Sequence, residues 1–325
     1  MSSRTRRRIA EFWDWWKEHG DEIARAISAG TIASWVPEIS RVVHAINRGL
    51  AWELMPGSQA EHALVVTSEG TVELVGVAEE WLGSGPPADA TWEFHSSRPP
   101  GPLDALTVDS VAFDLAGVRS RWTPDEGREL LDVELWHATW AGMTEKARWL
   151  SAQLFLDRLL GEADKQRWIG SVNTADAARD GADPASLRLA VEVLAGASTG
   201  QKWTTIRRQS ADGRAFLVTM NEALKRIDHP RKTWHLVVSV SRGPRVLEPA
   251  SDADGEDVVA LLEGQDANLA AVVADAHRSI FHFVVDPAQG AVGPALTWAK
   301  EIGRASVKAT ADPAWQFRDE LILGN

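Results

Sequence analysis

WTTIRRQ (203–209), GRAFLVTMNEAL (213–224), KTWHLVVSVSR (232–242), HRSIFHFVVD (277–286) and DPAW (312–315) together decide the fold. All but the last are short and rich in β-branched and aromatic residues, the composition of strands. Between the third and fourth, an acidic segment carries Val258, Leu261, Leu262, Leu269, Val272 and Val273 at helical spacing. The reading is strands at 203–209, 214–220, 233–241 and 277–285, an irregular basic crossing at 224–232, the acidic helix, and then helix, strand and helix. Strands and helices alternate without regular βαβ units. That favours an α+β domain with a mostly antiparallel sheet and helices packed on one face.

Working back from this region, GASTG (196–200) reads as a flexible linker and sets a domain boundary. A helical segment is expected over 1–49, one α+β domain over 50–200 and a second over 201–325. Ile9, Phe12, Trp13, Trp16, Ile23 and Ile27 form one stripe of an amphipathic helix at 8–29. Trp15 falls off that stripe and Gly20 is a point of weakness. A second helix is expected from Pro37 to Arg48. AWELMP (51–56), HALVVTS (62–68) and TVELVGV (71–77) read as strands, the last two joined by a hairpin at Glu69-Gly70. AEEWLGSG (78–85) reads as a short helix. TWEFHSS, DSVAFDL, VRSRW, LLDVELWHATW and RWIGSVNT read as further strands. MTEKARWLSAQLFLDRLLG (143–161) is the clearest helix of the middle region. DPASLRLAVEVLAG (183–196) is another, with Asp183 at the N-cap and Pro184 in the first position.

Composition narrows the chemistry. The chain has 325 residues, enough for two domains, and no cysteine, which excludes disulfides, thiolate metal sites and a cysteine nucleophile. It has sixteen Trp, eight Phe and no Tyr, so a phenolic general acid is excluded and indole fills core positions along the whole chain. A formal net charge of −12 repels nucleic acid and anionic membranes at long range. No apolar run of about 18 residues occurs, so no membrane-spanning helix is expected. Glu11, Asp14, Lys17 and Glu18 interrupt what would be the apolar core of a leader, so a cytoplasmic protein is expected.

Apparent motifs fail on spacing. GASTGQK lacks the four-residue gap and the Gly-Lys-Ser/Thr ending of a phosphate loop. Asp252, Asp254, Glu256 and Glu263 fit some positions of a calcium loop, but Asp257 stands where its glycine must be, and an acidic helix start accounts for them. The nine histidines are scattered without a zinc-ligand spacing. No Gly-x-Ser-x-Gly elbow occurs. No catalytic residue, cofactor site or metal site is therefore assigned. Lys225, Arg226, Arg231 and Lys232 form the one dense basic cluster, a candidate contact for an anion or an RNA backbone. The competing account is a solvated loop turned by Pro230.

GRAFLVTMNEALKRIDHP, WHLVVSV, HRSIFHFVVD and DPAWQF resemble the bacterial domain of unknown function 695 family across 203–321. WELMP, LVVTSEGTVELV, the short helix with Trp81 and TWEFHSSRPP look like the partner region that precedes that domain in some members. The resemblance implies a distant similarity to the ribonuclease E activity regulator B family. The implied C-terminal domain is ferredoxin-like and acts by binding an enzyme, with no catalytic residues to carry over. FHFVVD departs from the family by lacking Tyr. The leading expectation is a non-enzymatic binding or regulatory protein whose partner is another protein. An RNA- or anion-binding protein using the 225–232 segment is the alternative, followed by an enzyme whose site assembles only in the fold.

Overall fold

The computed structural model describes residues 2–176, 180–210, 213–243 and 253–323. The chain divides into two compact units, the first comprising Met1–Pro124 and Leu131–Ala195, the second Asp125–Leu130 and Gly196–Asn325.

The first unit opens with helices α1 (Ser3–Ser28) and α2 (Val36–Ile46), followed by β1 (Ala51–Pro56), β2 (His62–Thr67), α3 (Val72–Gly83) and β3 (Trp92–His95). The stripe on α1 works as its spacing implies, burying Ile9, Phe12, Trp16 and Ile23. Trp13 stacks on Trp81 with ring centroids 4.8 Å apart, and its indole N–H donates to the Trp81 carbonyl at 2.9 Å. Gly20 leaves α1 unbroken; its carbonyl accepts the Trp92 indole N–H at 3.2 Å, and a Cβ there would lie 3.1 Å from the Trp16 indole nitrogen. Trp15 meets a second surface, its ring facing His19 and Trp35.

Residues 71–77 are not a strand but the start of α3. β2 already pairs with β1 antiparallel and with β3 parallel, so neither edge is left for a hairpin partner. Glu69 and Gly70, at φ 47° and 80°, turn the chain out of β2 instead. The helix then points Leu74, Val77, Ala78 and Trp81 into the aromatic core. Burial of that face overrides the strand preference of the valines.

A second core in this unit is built from β4 (Ala105–Val108), β5 (Val111–Asp114), β6 (Arg119–Asp125), β7 (Leu130–Trp136), α4 (Glu145–Leu160), α5 (Glu162–Trp168), β8 (Ile169–Thr174) and α6 (Pro184–Ala197). The caps are as the sequence implies. The Asp183 carboxylate accepts the Ser186 N–H at 2.8 Å, and Gly161 closes α4 at φ 79°. Over 50–200 the α+β reading holds, with several small sheets in place of one. The strands are shared among three small sheets, and β2/β3 and β7/β8 are parallel pairs because helices connect them.

The second unit carries β9 (Trp203–Gln209), β10 (Ala215–Asn221), β11 (Trp234–Ser241), α7 (Ala253–Glu263), β12 (Asn268–Ala274), β13 (Arg278–Val285), α8 (Val292–Ile302), β14 (Ala305–Ala311) and α9 (Phe317–Leu323). Its sheet runs β14-β11-β13-β12-β10-β9, antiparallel throughout. The segment β11-α7-β12-β13-α8-β14 is a βαββαβ unit with its strands in ferredoxin-like order, fourth-first-third-second. The β9–β10 hairpin extends the sheet beyond β12. α7 and α8 cover one face through Val258, Leu262, Ala291 and Ala295, packed on Leu236, Val238, Phe281 and Phe283. The other face is partly covered too, by Leu224, Trp315 and Phe317 over Ala270 and Val284.

The acidic helix ends at Glu263, and 268–274 is a strand. Leu269 pairs with Phe283 and Val272 with Phe281, both on the helix-covered face, because a bulge between Leu269 and Ala271 inserts one residue. A spacing of three that looks helical is here a strand with one residue bulged. Asp266, at φ 57°, turns the chain between the two elements.

Trp81 is fully buried and its indole N–H has no partner, so its contribution is packing rather than hydrogen bonding. Trp81→Ala is expected to cost about 3–5 kcal/mol. Trp81→Phe, which keeps an aromatic ring and loses no bond, is expected to cost clearly less. Urea unfolding of the two variants checks the order.

Candidate functional site

The basic crossing and the DPAW stretch form one assembly in the second unit. Asp312 caps α9, its two carboxylate oxygens accepting the N–H groups of Gln316 at 2.9 Å and Phe317 at 3.1 Å. Trp315 is buried, adopts φ 58°, and donates its indole N–H to the Lys232 carbonyl at 2.7 Å. The Arg226 guanidinium lies over the Trp315 ring at 5.6 Å and donates to the carbonyls of Pro313, His229 and Pro230. Lys232 is buried, its ammonium donating to the Asp266 carbonyl at 2.6 Å, the Asp266 carboxylate at 3.0 Å and the Asn268 side chain. Lys225 donates to the Glu129 carbonyl at 2.9 Å. Arg231 is the exposed member, 3.8 Å from Asp286. The four residues do not form a row of outward cations. Three of them donate to carbonyls of the fold, which the spacing of charges along the chain does not reveal.

Two histidines meet beneath α9. His235 Nε2 and His282 Nδ1 lie 2.9 Å apart across neighbouring strands, and Phe317 stacks on the His235 ring at 3.9 Å. His282 is 8% exposed, and its Nε2 has no partner. Burial lowers the pKa of His235 to about 4. Burial, reinforced by the neighbouring His235, lowers that of His282 to about 3. Both rings are therefore neutral at physiological pH. His277, expected on the same strand as His282, precedes β13. Among the described residues no group of three or more His, Asp or Glu is arranged to hold a metal ion. Asp252 of the rejected calcium spacing lies outside the described residues.

The buried carboxylates collect donors rather than substrates. Burial would raise the pKa of Glu93, but N–H groups of Ser58, Gln59 and Ala60 and the His95 ring outweigh it and bring it down to about 2. Glu129, 3% exposed and at φ 52°, accepts from the Ser198 hydroxyl and from the Thr199 and Gly200 N–H groups at 3.3 and 3.4 Å. Burial opposes this charge, and those donors together with Lys225 lower its pKa nonetheless. The Asn221 side chain donates to the Gly200 carbonyl at 2.9 Å and accepts the Lys202 N–H at 3.0 Å. GASTG is thus a clasped segment and not a flexible linker. In the first unit, Glu162 accepts the Thr67 hydroxyl and the N–H groups of Gly70 at 3.0 Å and Arg98 at 3.2 Å.

The sheet of the second unit carries a continuous apolar row on the face opposite α7 and α8. Ile206 faces Val218, Val218 faces Val273, and Val273 faces Ile280 in successive strand registers. Phe216, Val273, Ile280, Arg214 and Arg278 line a hollow of about 190 Å³ at this row. Asp275 beside it is held by the His277 and Arg278 N–H groups and by the Arg278 guanidinium, which hold its pKa low against the effect of burial.

No family model matches the chain, and no curated protein matches it. Among solved structures, a crystal structure of a protein from Thermus thermophilus aligns at 11% identity over 90% of this chain and 40% of that chain, with a TM-score of 0.19. A score that low carries no argument about fold or activity, and this chain spans about two fifths of that protein's length.

The native state binds fewer protons at His235 and His282 than the unfolded chain does, because both folded pKa values lie below 6.5. Stability is therefore expected to fall as pH drops from about 6.5 towards 3. His282→Gln removes one titrating ring and is expected to flatten that slope in urea unfolding across the same range. Glu129→Gln is expected to speed amide hydrogen exchange at Thr199 and Gly200 while leaving that of β11 and β13 unchanged.

Proposed function

We propose that this is a non-enzymatic, cytoplasmic binding or regulatory protein that acts through contact with another protein. The observation that carries the reading is the half-buried apolar patch of Ile206, Phe216, Val273 and Ile280, packed around the buried Val218 and beside a shallow hollow rimmed by Arg214 and Arg278. Such a surface is built for contact: an apolar centre with a polar rim. The groups most able to do acid–base chemistry favour the same reading. Glu93, Glu129 and Glu162 are occupied by backbone and hydroxyl donors, and His235 and His282 face each other under Phe317. The resemblance of 203–321 to the domain of unknown function 695 family, and more distantly to a family that regulates ribonuclease E by binding it, points the same way. Among the described residues no helix is long and apolar enough to cross a membrane, and a cysteine-free chain needs no oxidising compartment.

Ile280→Arg places a charge in the row, and Arg278→Glu reverses the rim. Partners cross-linked to the wild-type protein in lysate are expected to fall by roughly tenfold with either variant, the weight of a central interface residue. Circular dichroism controls for folding. Turnover by the purified protein in a broad hydrolase or nuclease screen overturns the reading.

A further inference from the structure

The first unit holds a cleft of about 500 Å³ between the first turns of α4 and the outer end of β8, lined by Glu145, Lys146, Arg148, Trp149, Asn173 and Thr174. That volume lies in the range of small-molecule sites. Trp149 is 52% exposed, more than any other large hydrophobic residue of α4. The tryptophans that pack into this unit's aromatic core are buried, as Trp16, Trp81 and Trp92 are, or half-buried, as Trp13, Trp15, Trp35 and Trp52 are. Packing therefore does not account for an indole in this position. Among the described residues the Lys146 ammonium and the Asn173 amide have no hydrogen-bond or ion-pair partner. Arg148 gives one terminal nitrogen to the Met143 carbonyl at 2.9 Å, and its buried Nε has no partner.

Taken together, these groups specify a ligand. An exposed indole offers a flat π-face on which an aromatic base stacks. A lysine and an arginine beside it attract a phosphate, the lysine as a point charge and the arginine through its remaining N–H groups. An amide carries both a donor and acceptors, which suit the edge of a base. Glu145 accepts hydrogen bonds from sugar hydroxyls, and its single negative charge is outnumbered by the two cations. A purely apolar ligand would leave Lys146, Arg148, Glu145 and Asn173 desolvated without compensation. A metal ion would find one carboxylate.

We propose that this cleft binds a nucleotide, with the base on Trp149 and the phosphate at Lys146 and Arg148. The proposal is independent of the protein-contact reading, which concerns the other unit. The same chemistry is presented by a free nucleoside phosphate and by one residue of single-stranded RNA, so both are tested.

The full chain is titrated with adenosine monophosphate, adenosine, inorganic phosphate and a short single-stranded oligoadenylate by isothermal calorimetry. Saturable binding of the monophosphate is expected, with adenosine weaker because it lacks the phosphate. Trp149→Ala is expected to weaken binding about tenfold or more, the scale of one base–aromatic stack. Lys146→Ala is expected to weaken it and to make it less sensitive to added salt. Both side chains are exposed, so the fold is expected to tolerate their loss; Leu189→Ala, exposed on α6 and outside the cleft, is the control that leaves binding unchanged. Tight binding of oligoadenylate over the monophosphate assigns the site to RNA, and equal binding assigns it to the free nucleotide. The proposal is overturned if neither probe binds saturably, or if Trp149→Ala and Lys146→Ala bind as the wild type does.

Discussion

Buried carboxylates that gather backbone N–H groups hold the loops of this protein in place. Glu93 fixes the turn at 58–60, Glu162 the turn at 70 and the chain at Arg98, and Glu129 the segment 198–200. A carboxylate buried without partners would be protonated or would unfold its surroundings. Here each one has several donors, so the loop is fixed. Elements that a small helix or sheet cannot align alone are thereby set, including the turn that sends β2 into α3. At Glu93 and Glu129 the same donors hold the pKa low, which makes these two carboxylates poor proton acceptors at neutral pH.

The same device is seen with reversed charge in the second unit. Lys225, Arg226, Lys232 and Arg318 donate to carbonyls of irregular backbone, including those of Glu129, Pro313, Asp266 and Leu224. Burial lowers the pKa of Arg318, yet its guanidinium still reaches the Asn221 carbonyl. These cations satisfy backbone acceptors that no regular element supplies with donors. Much of the basic charge near DPAW thus serves as scaffold.

How far the fold was legible depends on the range of the interactions. Local signals held: the stripe on α1, Asp183 and Pro184 at the start of α6, and the strands around Leu217, Leu236 and Phe283. Tertiary contacts overrode them in α3, where valines with strand preference sit in a helix because Trp81 needs the core. In β12 a bulge imitated helical spacing at Leu269 and Val272. The carboxylate clasps were not legible, because a glutamate and the N–H groups of a loop tens of residues away leave no motif. Nor was the His235–His282 pair, whose members are joined only by strand register.

The second unit is discontinuous in sequence: it takes residues 125–130 from within the stretch that otherwise builds the first. Its native contacts therefore include pairs such as Glu129 with Ser198 and Lys225, far apart along the chain. Closing such loops costs entropy before any contact repays it, which slows folding relative to a domain made of one segment. On the ribosome, the loop that clasps GASTG is synthesised long before its partners emerge. A fragment beginning at residue 201 would carry the ferredoxin-like strands but lose the carbonyl that holds Lys225, so this unit's boundary is a matter of three-dimensional closure and not of a cut in the chain.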